Sequence, residues 1–445
     1  MNAEPHFPLI AHKSPEAIVA YREGKPITAR RFLSDVNKVS TTLPEGGHVL
    51  NTCQDRYRFA VGFAATLVVR SVSLMPSSLA PQTLNSLQSI AADFITLDDE
   101  DILKTTSSNS DICDHNSTTF TIPSIKGSQL ATWVFTSGST GTPLPHAKTW
   151  GSLAKNVRIE AQRLGLLDGR AHTIIGTVPP QHMYGFESTV LVALQSGAAF
   201  DAGRPFYPAD IDKAIATAIR PRTLVTTPFH LHSLLSSELN LPTIDLVVSA
   251  TAPLSKSLGE KSEARLHTHL LEIYGCTETG QIATRRSTQT DEWQLFDGVE
   301  LTINDGQVSA SGGHLEQPVT ISDTLEITHD GHFLLHGRAS DIINVAGKRS
   351  SFGYLNHQLN AIPGVEDGVF FMPNEETGNM ITRLTAFVVS PDLSAAEITQ
   401  ALRHSIDPVF LPRPIVFVDK LPRNTTGKLS HTALTDMAKA HAGRS

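Results

Sequence analysis

The chain has 445 residues, of which 40% are hydrophobic and 18% are charged, and its formal net charge is −8. This length exceeds one ordinary core, so we expect two or three domains in a soluble globular protein. The acidic balance argues against a nucleic-acid or anionic-membrane surface, since both favour basic patches. We expect no membrane span, because Arg70 ends the longest apolar run, FAVGFAATLVV.

The N-terminus and the cysteines indicate a cytoplasmic protein. The first residues, MNAEPHFPLIAHKSPE, carry Glu4 early and no basic segment, so we do not expect a secretory signal. The three cysteines, Cys53, Cys113 and Cys276, are odd in number and lack the spacing of a metal site. Such cysteine usage suits a reducing compartment.

Strand-like and helix-like segments alternate through the first two thirds of the chain. The first helix is expected after Thr28, a potential N-cap, with its apolar face at Phe32, Val36, Val39 and Leu43. The other segments predicted as helices are RFAVGFAATLVVRS and GFESTVLVALQSG. The segments predicted as strands are AIVAYREG, HVLNTCQ, ATWVF, HTIIGTVPP, RTLVTTP and IDLVVSATAP. This alternation predicts α/β layers with several parallel strands.

Two other kinds of segment complete the expected organisation. Residues 104–121 are rich in Ser, Thr, Asn and Asp, which predicts a surface connection. Around residue 300, GVELTINDGQVSASGG and LEITHDGHFLLHGR predict antiparallel hairpins with Asp-Gly turns. Beyond them we expect a small α+β unit with a helix near residues 353–362, strands GVFFMP and RLTAFVVS, and a helix AAEITQALRHSI.

We place a domain boundary at Arg338–Ser340. The prediction is a large N-terminal domain of layered α/β sheets (residues 1–338), joined by a hinge to a small α+β C-terminal domain (residues 339–445).

The stretch TSGSTGTPLPHAK, residues 136–148, suggests a phosphate-binding loop. It directly follows a buried-strand signal, and open α/β sheets place ligands at the ends of such strands. Gly138 and Gly141 allow backbone N–H groups to approach phosphate oxygens. Hydroxyl groups that add donors or a Mg²⁺ ligand come from Thr136, Ser137, Ser139 and Thr140. The Walker pattern G-x-x-x-x-G-K-[ST] is not met, and a flexible surface loop is the alternative interpretation of this stretch taken alone.

Five motifs, in order, resemble those of the AMP-forming adenylate synthetases, which include acyl- and aryl-CoA synthetases, peptide-synthetase adenylation domains and luciferases. They are TSGSTGTP, similar to the phosphate loop; PPQHMYGFE (179–187), similar to the aromatic gate; IYGCTE (273–278), similar to the YGxTE signature; SDTLEITHDGHFLLHGR (322–338), similar to the ribose-binding aspartate and hinge arginine; and PRNTTGK (422–428), similar to the C-terminal lysine motif. The resemblance implies an enzyme that uses ATP and Mg²⁺ to convert a carboxylic acid to acyl-AMP and pyrophosphate. The acyl group then passes to the thiol of coenzyme A or of carrier-protein phosphopantetheine.

The same resemblance implies roles for individual residues, each of which would otherwise be read as ordinary surface or core. Glu278 and Thr140 are expected to hold Mg²⁺. The ring of Tyr274, followed by Gly275, is expected to lie on adenine, with the segment Ser249, Ala250 and Thr251 on the other side. Asp323 is expected to accept hydrogen bonds from the ribose hydroxyls, a bidentate task suited to a carboxylate, with Arg338 assisting.

Lys428 is expected to be the catalytic lysine. Attack of a carboxylate on the α-phosphate brings two anions together, and an ammonium at both oxygens stabilises that state more than the ground state. A hinge at Ser340 is implied to rotate the small domain after adenylation. Gly347, in INVAGKR, is implied to lie against the pantetheine arm.

The lysine that the family normally carries in its phosphate loop is missing from this sequence. The family's loop continues G-x-P-K-G, and Leu144 stands where that lysine is expected. Lys148 could curl back to the β- and γ-phosphates, and His146 is a second candidate. Alternatively, Lys148 lies on the surface and Mg²⁺ with the backbone donors suffices.

The acyl pocket is expected between the gate motif and YGxTE. Its expected lining residues are His182, which is also the gate residue, Met183, Tyr184, Phe186 and Phe229. Tyr184 or His230 could hydrogen-bond a ring hydroxyl. An aspartate that would recognise an α-amino group is missing from these motifs, so an aryl acid such as a hydroxybenzoate is the first choice and a fatty or short aliphatic acid the second.

A short chain with TPLPHAKTW resembles the compact aryl-acid AMP ligases of bacterial pigment clusters (aryl polyenes, xanthomonadin-type), which are thought to load an acyl carrier protein. A catalytically silent adenylate-binding protein is a further alternative, supported only by the missing loop lysine.

Overall fold

The structure is a computed structural model that describes residues 4–76, 79, 81–88, 90–107, 120–136, 144–304, 307–338, 342–345, 348–372, 384–423, 429 and 431–442. The elements as far as residue 149 are, in chain order, β1 (His6–Pro8), β2 (Ile18–Arg22), β3 (Lys25–Thr28), α1 (Ala29–Ser40), β4 (His48–Asn51), α2 (Arg56–Val68), β5 (Val72–Met75), α3 (Pro81–Gln88), β6 (Ile95–Leu97), α4 (Asp99–Ser107), β7 (Ser124–Lys126), β8 (Leu130–Thr136) and β9 (Leu144–Thr149).

The elements that follow, as far as residue 285, are α5 (Trp150–Arg163), β10 (Thr173–Gly176), α6 (Met183–Gly185), a π-helical stretch (Phe186–Leu191), α7 (Val192–Ser196), β11 (Ala199–Asp201), α8 (Pro208–Thr217), β12 (Arg222–Thr226), α9 (Pro228–Ser236), β13 (Leu246–Ser249), α10 (Lys256–Leu266), β14 (His269–Cys276) and β15 (Gly280–Arg285).

The remaining elements are β16 (Trp293–Leu295), β17 (Val299–Asn304), β18 (Gln307–Gly312), β19 (Val319–Ile321), β20 (Asp323–His329), β21 (His332–Arg338), β22 (Ile342–Val345), β23 (Lys348–Ser351), α11 (Phe352–Asn360), β24 (Asp367–Phe371), β25 (Thr385–Val389), α12 (Ala395–Ser405), a 3₁₀ turn (Pro408–Phe410), β26 (Ile415–Phe417) and α13 (His431–Ala442).

The largest sheet has eleven strands in the order β20-β21-β16-β15-β14-β13-β12-β10-β11-β2-β3. Its six central strands, β14, β13, β12, β10, β11 and β2, run parallel to one another. A second sheet, β6-β4-β5-β8-β9, is parallel except for β9, which pairs antiparallel with β8. The prediction of α/β layers with several parallel strands is confirmed, because both sheets are packed with helices that bury their apolar faces.

Local signals account for several element boundaries. Thr28 caps α1 as expected, since its hydroxyl accepts a hydrogen bond from the backbone N–H of Arg31 at 3.3 Å. Both expected hairpins form, as β17–β18 and β20–β21. In the second, Gly331 takes a φ of +72° at the turn, a conformation that glycine adopts at little cost. The expected surface connection at 104–121 begins inside α4, and most of it lies outside the described residues.

The C-terminal region has hydrophobic clusters of its own. One contains Leu355, Leu359 and Phe370, and another contains Phe387 and Leu434. Both are built from residues beyond 342, which agrees with a small α+β unit after the large sheets. Helices α11 and α12 and strands β24 and β25 match expectation, whereas β26 and α13 were not predicted. The exact boundary at Arg338–Ser340 remains a prediction, since residues 339–341 lie outside the described residues.

Helices long and apolar enough to cross a membrane are absent from the part of the chain that the structure describes.

Candidate active site

Four of the segments singled out in the sequence begin at one edge of the large sheet. Strands β10, β12, β13 and β14 are parallel neighbours, with Thr226 opposite Ser249 and Ser249 opposite Glu272. Their carboxyl ends therefore meet, and they lead into the gate motif, Phe229, the Ser249–Thr251 segment and the YGCTE motif. This edge is where open α/β sheets bind ligands.

Tyr274 and Asp323, which the resemblance assigns to the adenine and the ribose, lie in contact. The Tyr274 hydroxyl donates a hydrogen bond to Asp323 Oδ2 at 2.6 Å. The tyrosine ring packs against Trp293 and Phe333, with ring centroids 5.6 and 5.5 Å away. These contacts hold the carboxylate in a fixed position at the end of β14, although they were not themselves predicted.

Two glycines allow the strand after Tyr274 to turn back tightly. A Cβ added at Gly275 would lie 2.1 Å from the carbonyl oxygen of Gly280, which no side chain tolerates. Gly280 has a φ of +69°, and a Cβ there would lie 2.5 Å from the Asn156 side-chain nitrogen. Gly275 is therefore required by close packing, in addition to any role beside a nucleotide.

Glu278 is an ionised, half-exposed carboxylate. His146 Nε2 lies 3.6 Å from its Oε1. Burial acts to raise the pKa of Glu278, but hydrogen bonds from the Cys276 thiol and its own backbone N–H, together with His146 and Lys148, hold the pKa below its usual value. Burial in turn lowers the pKa of His146, against the attraction of Glu278. A half-exposed carboxylate that stays charged is the ligand type that Mg²⁺ prefers, so Glu278 fits the expected metal role.

Lys148 is buried, with only 7% of its surface exposed, so the alternative that placed it on the surface is wrong. Its Nζ donates a hydrogen bond to the main-chain carbonyl oxygen of Glu278 at 2.6 Å. Burial lowers the pKa of Lys148, while Glu187, Cys276 and Glu278 act to raise it. The lysine thus reaches the YGCTE turn from β9, a contact that sequence spacing did not indicate.

His314 holds the next carbonyl of the same turn. Its Nε2 lies 2.8 Å from the carbonyl oxygen of Thr279, and because a carbonyl only accepts, Nε2 carries the hydrogen. Burial lowers the pKa of His314 to about 4, so the ring is neutral near pH 7. The Thr279 hydroxyl also accepts from the backbone N–H of Cys276 at 3.2 Å and donates to the Gly280 carbonyl at 2.7 Å.

A pair of buried glutamates beneath this turn was missed. Burial raises the pKa values of Glu160 and Glu187 to about 8. Asn156 Nδ2 donates to Glu187 Oε1 at 3.2 Å. The side-chain amide of Gln281 is oriented with its nitrogen toward Glu160, because only this orientation gives both amide atoms a partner. The nitrogen then donates to the two carboxyl oxygens of Glu160 at 3.0 and 3.2 Å, and the amide oxygen accepts from Ser188 Oγ at 2.7 Å. The spacing of Asn156 and Glu160 along an otherwise apolar helix face was the available signal.

Arg56 fixes the strand end that leads into the gate motif. It is fully buried, and its Nη2 donates to the carbonyl oxygens of Gly176 and Val178, each at 2.9 Å. Its Nε donates to Thr189 Oγ1 at 3.0 Å, and its Nη1 to the carbonyl oxygens of Asp201 and Gly203. All five donors of the guanidinium are thereby used on groups around the start of the gate.

The gate motif itself forms a tight turn before α6. His182 precedes α6, and its backbone N–H donates to the carbonyl oxygen of Pro179 at 3.1 Å. Gly185 is required there, because a Cβ would lie 2.1 Å from that same oxygen. Met183 is buried beside it.

Two gate aromatics are already engaged within the protein. The Tyr184 hydroxyl donates to the carbonyl oxygen of Val248 at 3.0 Å, so it ties the gate to β13. Phe186 is fully buried, with ring centroids of Phe59 and Phe63 at 6.0 and 4.7 Å. The structure therefore places Phe186 in the core, contrary to the expectation that it lines the acyl pocket, because the π-helical stretch turns it toward α2.

Phe229 and His230 form an aromatic group with Phe206 at the start of α9. Phe229 is 37% exposed, and the ring centroid of Phe206 lies 6.5 Å from Phe229 and 5.0 Å from His230. His230 is buried, and its Nδ1 lies 2.9 Å from the Thr227 hydroxyl. Burial lowers its pKa to about 4, and its buried Nε2 has no hydrogen-bond partner among the described residues.

The segment after β13 has an unusual backbone. Ser249 is fully buried, Ala250 follows it, and Thr251 takes a φ of +80°. A β-branched residue in that region is strained, and such strain concentrates at ligand sites.

Some expected site residues cannot be placed. Outside the described residues lie Ser137, Gly138, Ser139, Thr140, Gly141, Ser340, Gly347 and Lys428. Thr136 and Arg338 belong to β8 and β21, and Arg338 lies opposite Asp323 in the strand register.

Comparison with known families identifies the chain. Residues 36–305 match the family of AMP-binding enzymes, and residues 356–428 match the C-terminal domain of AMP-binding enzymes. The chain belongs to the AMP-binding enzyme family, the AMP-forming adenylate synthetases that the five motifs indicated. By class it is an AMP-forming acid–thiol ligase.

Two relatives show the range of similarity. The 4-coumarate–CoA ligase of Rhodobacter capsulatus is 30% identical over 306 residues, which cover 68% of this chain and 75% of the relative. The 3-hydroxybenzoate–CoA/4-hydroxybenzoate–CoA ligase of Thauera aromatica is 25% identical over 367 residues, which cover 70% of this chain and 67% of the relative.

Solved structures share the fold over nearly the whole chain. An anthranilate CoA ligase in complex with anthranoyl-AMP has a TM-score of 0.79 at 15% identity, with 98% of this chain and 99% of that chain covered. The o-succinylbenzoate CoA synthetase of Bacillus subtilis, in complex with its acyl-adenylate, has a TM-score of 0.79 at 18% identity, with coverage of 97% and 99%. The expected fold, a large N-terminal α/β domain with a small C-terminal domain, is thereby confirmed.

Proposed function

We propose that this enzyme adenylates an aromatic carboxylic acid of the hydroxybenzoate type and transfers the acyl group to a phosphopantetheine thiol. The single observation that carries the proposal is the meeting, at one sheet edge, of a Tyr274–Asp323 pair at 2.6 Å and an ionised Glu278 with the aromatic group of Phe206, Phe229 and His230. The Tyr274–Asp323 pair and Glu278 suit a nucleoside triphosphate with its Mg²⁺, and the aromatic group suits a flat ring.

On the nucleotide side, each described residue has one task. Asp323 is fixed by one hydrogen bond from Tyr274. The acceptor positions of its carboxylate that Tyr274 leaves unused accept hydrogen bonds from the ribose hydroxyls. The segment Ser249–Thr251 and Tyr274 enclose the adenine. Glu278 faces the end of the chain segment that carries the phosphate loop, because His146 on β9 lies 3.6 Å from it.

Mg²⁺ would be held by Glu278 and, by resemblance, Thr140, and it would neutralise the charge of the ATP phosphates when bound. The protein residues then need only to orient the acid carboxylate toward the α-phosphate. Lys428 would stabilise the charge that gathers on the two oxygens during attack, and pyrophosphate would leave. The hinge at Ser340 would next withdraw Lys428 and bring Gly347 to the pantetheine arm.

An aromatic acid is favoured over a fatty acid by two lines of support. Phe229 offers an exposed ring beside Phe206, and flat rings bind well against aromatic faces. In addition, relatives are named for aromatic acids, among them 4-coumarate, 3- and 4-hydroxybenzoate and 4-chlorobenzoate. A long-chain-fatty-acid–CoA ligase of Yersinia pestis is 24% identical, and it represents the aliphatic alternative.

Coenzyme A is the acceptor that the relatives' names support, and an acyl carrier protein is the second candidate, suggested by the compact pigment-cluster ligases that the sequence resembles. Both present the same phosphopantetheine thiol, so the acceptor is settled by comparing them at equal concentration after the acid has been found.

The proposal is tested by pyrophosphate release with ATP, Mg²⁺ and hydroxylamine across hydroxybenzoates, benzoate, cinnamates and C4 to C12 fatty acids. We expect turnover with a hydroxybenzoate above that with any fatty acid. Lys428→Ala should lower this release by about 10²–10³-fold, the loss typical of a single electrostatic donor, while transfer from synthetic acyl-AMP to the thiol persists. Greater turnover with a fatty acid would contradict the aryl assignment. Binding of ATP without release for any acid would favour a silent adenylate-binding protein.

A further inference from the structure

Two side chains from distant parts of the chain hold consecutive carbonyl oxygens of the turn that carries Glu278. Lys148 Nζ, from β9, donates to the carbonyl of Glu278 at 2.6 Å. His314 Nε2, from the loop after β18, donates to the carbonyl of Thr279 at 2.8 Å. Both side chains are buried, so their contacts are shielded from water and from competing partners.

The Lys148 ammonium lies in a polar layer whose acidic groups favour its charged form. Glu187 is the strongest of the acidic groups acting on it, and Asn156 Nδ2 binds Glu187 Oε1 at 3.2 Å. A buried ammonium is costly unless it is hydrogen-bonded, and the bond to the Glu278 carbonyl supplies such a partner. The Lys148 side chain therefore binds the YGCTE turn through the main-chain carbonyl of Glu278.

We propose that Lys148 and His314 are positioning residues that fix the Glu278 carboxylate for Mg²⁺, and that Lys148 acts on the phosphates only through this carboxylate. The inference rests on the proposed binding of ATP with Mg²⁺ at Glu278. It answers the question that Leu144 raised: the buried cation of this segment secures the metal ligand, and the position of the usual loop lysine is left apolar. Leu144 is 55% exposed, so it makes no equivalent contact.

The distinguishing experiment measures ATP affinity by calorimetry, with Mg²⁺ and with EDTA, on the full chain and without any acid. Groups that orient a metal ligand typically change metal affinity by about 10–100-fold. Lys148→Met should therefore abolish most of the gain in ATP affinity that Mg²⁺ gives, while ATP affinity in EDTA stays close to that of the unmodified enzyme. A direct phosphate contact would instead weaken ATP binding equally in EDTA and in Mg²⁺, which would overturn the proposal.

A second arm uses the usual lysine position. In the double variant Leu144→Lys/Lys148→Met, the added lysine restores ATP affinity if Lys148 acts as a phosphate cation. We expect no restoration of the Mg²⁺-dependent gain, because Leu144→Lys supplies no donor to the Glu278 carbonyl. Full restoration would contradict the positioning role.

His314 provides a matched pair should Lys148→Met fail to fold, as judged by circular dichroism. His314→Leu removes the donor to Thr279, and His314→Gln keeps an amide donor. We expect His314→Leu to reduce the Mg²⁺-dependent gain and His314→Gln to retain most of it. Equal behaviour of the two variants would overturn the proposal. Lys104→Met, at a 75% exposed lysine side chain of α4, is the control that should change nothing.

The unmodified enzyme separates this inference from the proposed function. Failure of the unmodified enzyme to bind ATP in either condition would overturn the proposed function, and the positioning roles with it. ATP binding that gains nothing from Mg²⁺ would overturn the positioning roles and the metal role of Glu278 alone.

Discussion

The two halves of the candidate site are built in different ways. The nucleotide side, defined by Lys148, Tyr274, Glu278 and Asp323, consists of charged and polar groups joined by two hydrogen bonds of 2.6 Å, from Lys148 to the Glu278 carbonyl and from Tyr274 to Asp323. The aromatic side, defined by Phe206, Phe229 and His230, has ring contacts with centroid separations of 5.0 to 6.5 Å.

This difference suggests that the nucleotide side determines catalysis and that the aromatic side determines which acid is selected. Short charge-assisted hydrogen bonds fix atoms in place, which suits a nucleotide that is the same in every reaction of the family. Ring contacts define the shape of a pocket without fixing any single substrate atom. A small change in pocket shape therefore alters the discrimination between two acids by only a modest factor. Changes on the nucleotide side should therefore alter catalysis for all acids, and changes on the aromatic side should alter which acid is used.

The largest effect is expected from Glu278→Gln. The amide keeps the shape of the side chain but removes the charge that would hold Mg²⁺, so adenylation should fall by about 10²–10³-fold for every acid tested. Initial rates of pyrophosphate release at varied Mg²⁺ measure the loss. The comparison between the two sides breaks down if the loss depends on the acid. Glu300→Gln, at an exposed position, is the matched control.

A smaller and purely nucleotide-dependent effect is expected from Asp323→Asn. Hydrogen bonds to a charged group contribute about 1.5–3 kcal/mol each, so the KM for ATP should rise by about 10–100-fold. The KM for the acid should stay the same. Steady-state kinetics with each substrate varied in turn measures both values.

Tyr274→Phe sharpens the result for Asp323. It removes the hydrogen bond at 2.6 Å but leaves the carboxylate, so its effect on the KM for ATP should fall between those of the unmodified enzyme and Asp323→Asn. A Tyr274→Phe enzyme as weak as Asp323→Asn would mean that orientation, more than charge, determines ribose binding. Asp330→Asn, in the exposed turn of β20–β21, should leave both KM values unchanged.

Sequence alone pointed to the nucleotide side through local motifs, and the roles of those residues remain predictions. Tyr274, Glu278 and Asp323 belong to short motifs whose spacing is local, although the hydrogen bond between Tyr274 and Asp323 was not itself predicted. The contact between Lys148 and Glu278 joins residues 130 positions apart, and no local pattern encodes it. Burial of Lys148 is equally invisible in sequence, because lysine is usually exposed.

Phe186 shows why pocket predictions are weaker. Its position in the gate motif suggested a lining residue, but the π-helical stretch changes the angular spacing of side chains, and the ring lies against Phe59 and Phe63. Which face of a helix meets a cavity depends on such details. The parallel sheets, in contrast, follow from repeated strand and helix patterns along the chain, and those predictions are confirmed.

On the aromatic side, Phe229→Ala should change acid selection. Loss of the exposed ring should raise the KM for an aromatic acid by about tenfold, the low end of what a pocket contact contributes, and leave the KM for ATP unchanged. Competition between a hydroxybenzoate and a fatty acid in one reaction measures the change. Phe417→Ala, at a ring of similar exposure (40%) in the C-terminal region, is the control. An equal rise in the KM for ATP would mean that the two sides are not separable.

The smallest effect on activity, but a distinct effect on stability, is expected from Glu160→Gln. Burial raises the pKa of Glu160 to about 8, with the nearby Glu187 adding to the shift and hydrogen bonds from Ser188 and Gln281 opposing it. Between the ordinary value of 4.5 and about 8, the folded protein therefore holds a proton that the unfolded chain has lost. Stability that this proton provides is complete below pH 4.5 and is lost as the pH rises to about 8.

Glu160→Gln cannot ionise, so its free energy of unfolding should fall less between pH 5 and pH 8 than that of the unmodified enzyme. Each pKa unit corresponds to about 1.4 kcal/mol, which makes the difference measurable by urea unfolding at several pH values. Glu100→Gln, at an exposed glutamate of α4, should follow the unmodified enzyme. Parallel pH profiles for Glu160→Gln and the unmodified enzyme would show that Glu160 is charged when folded.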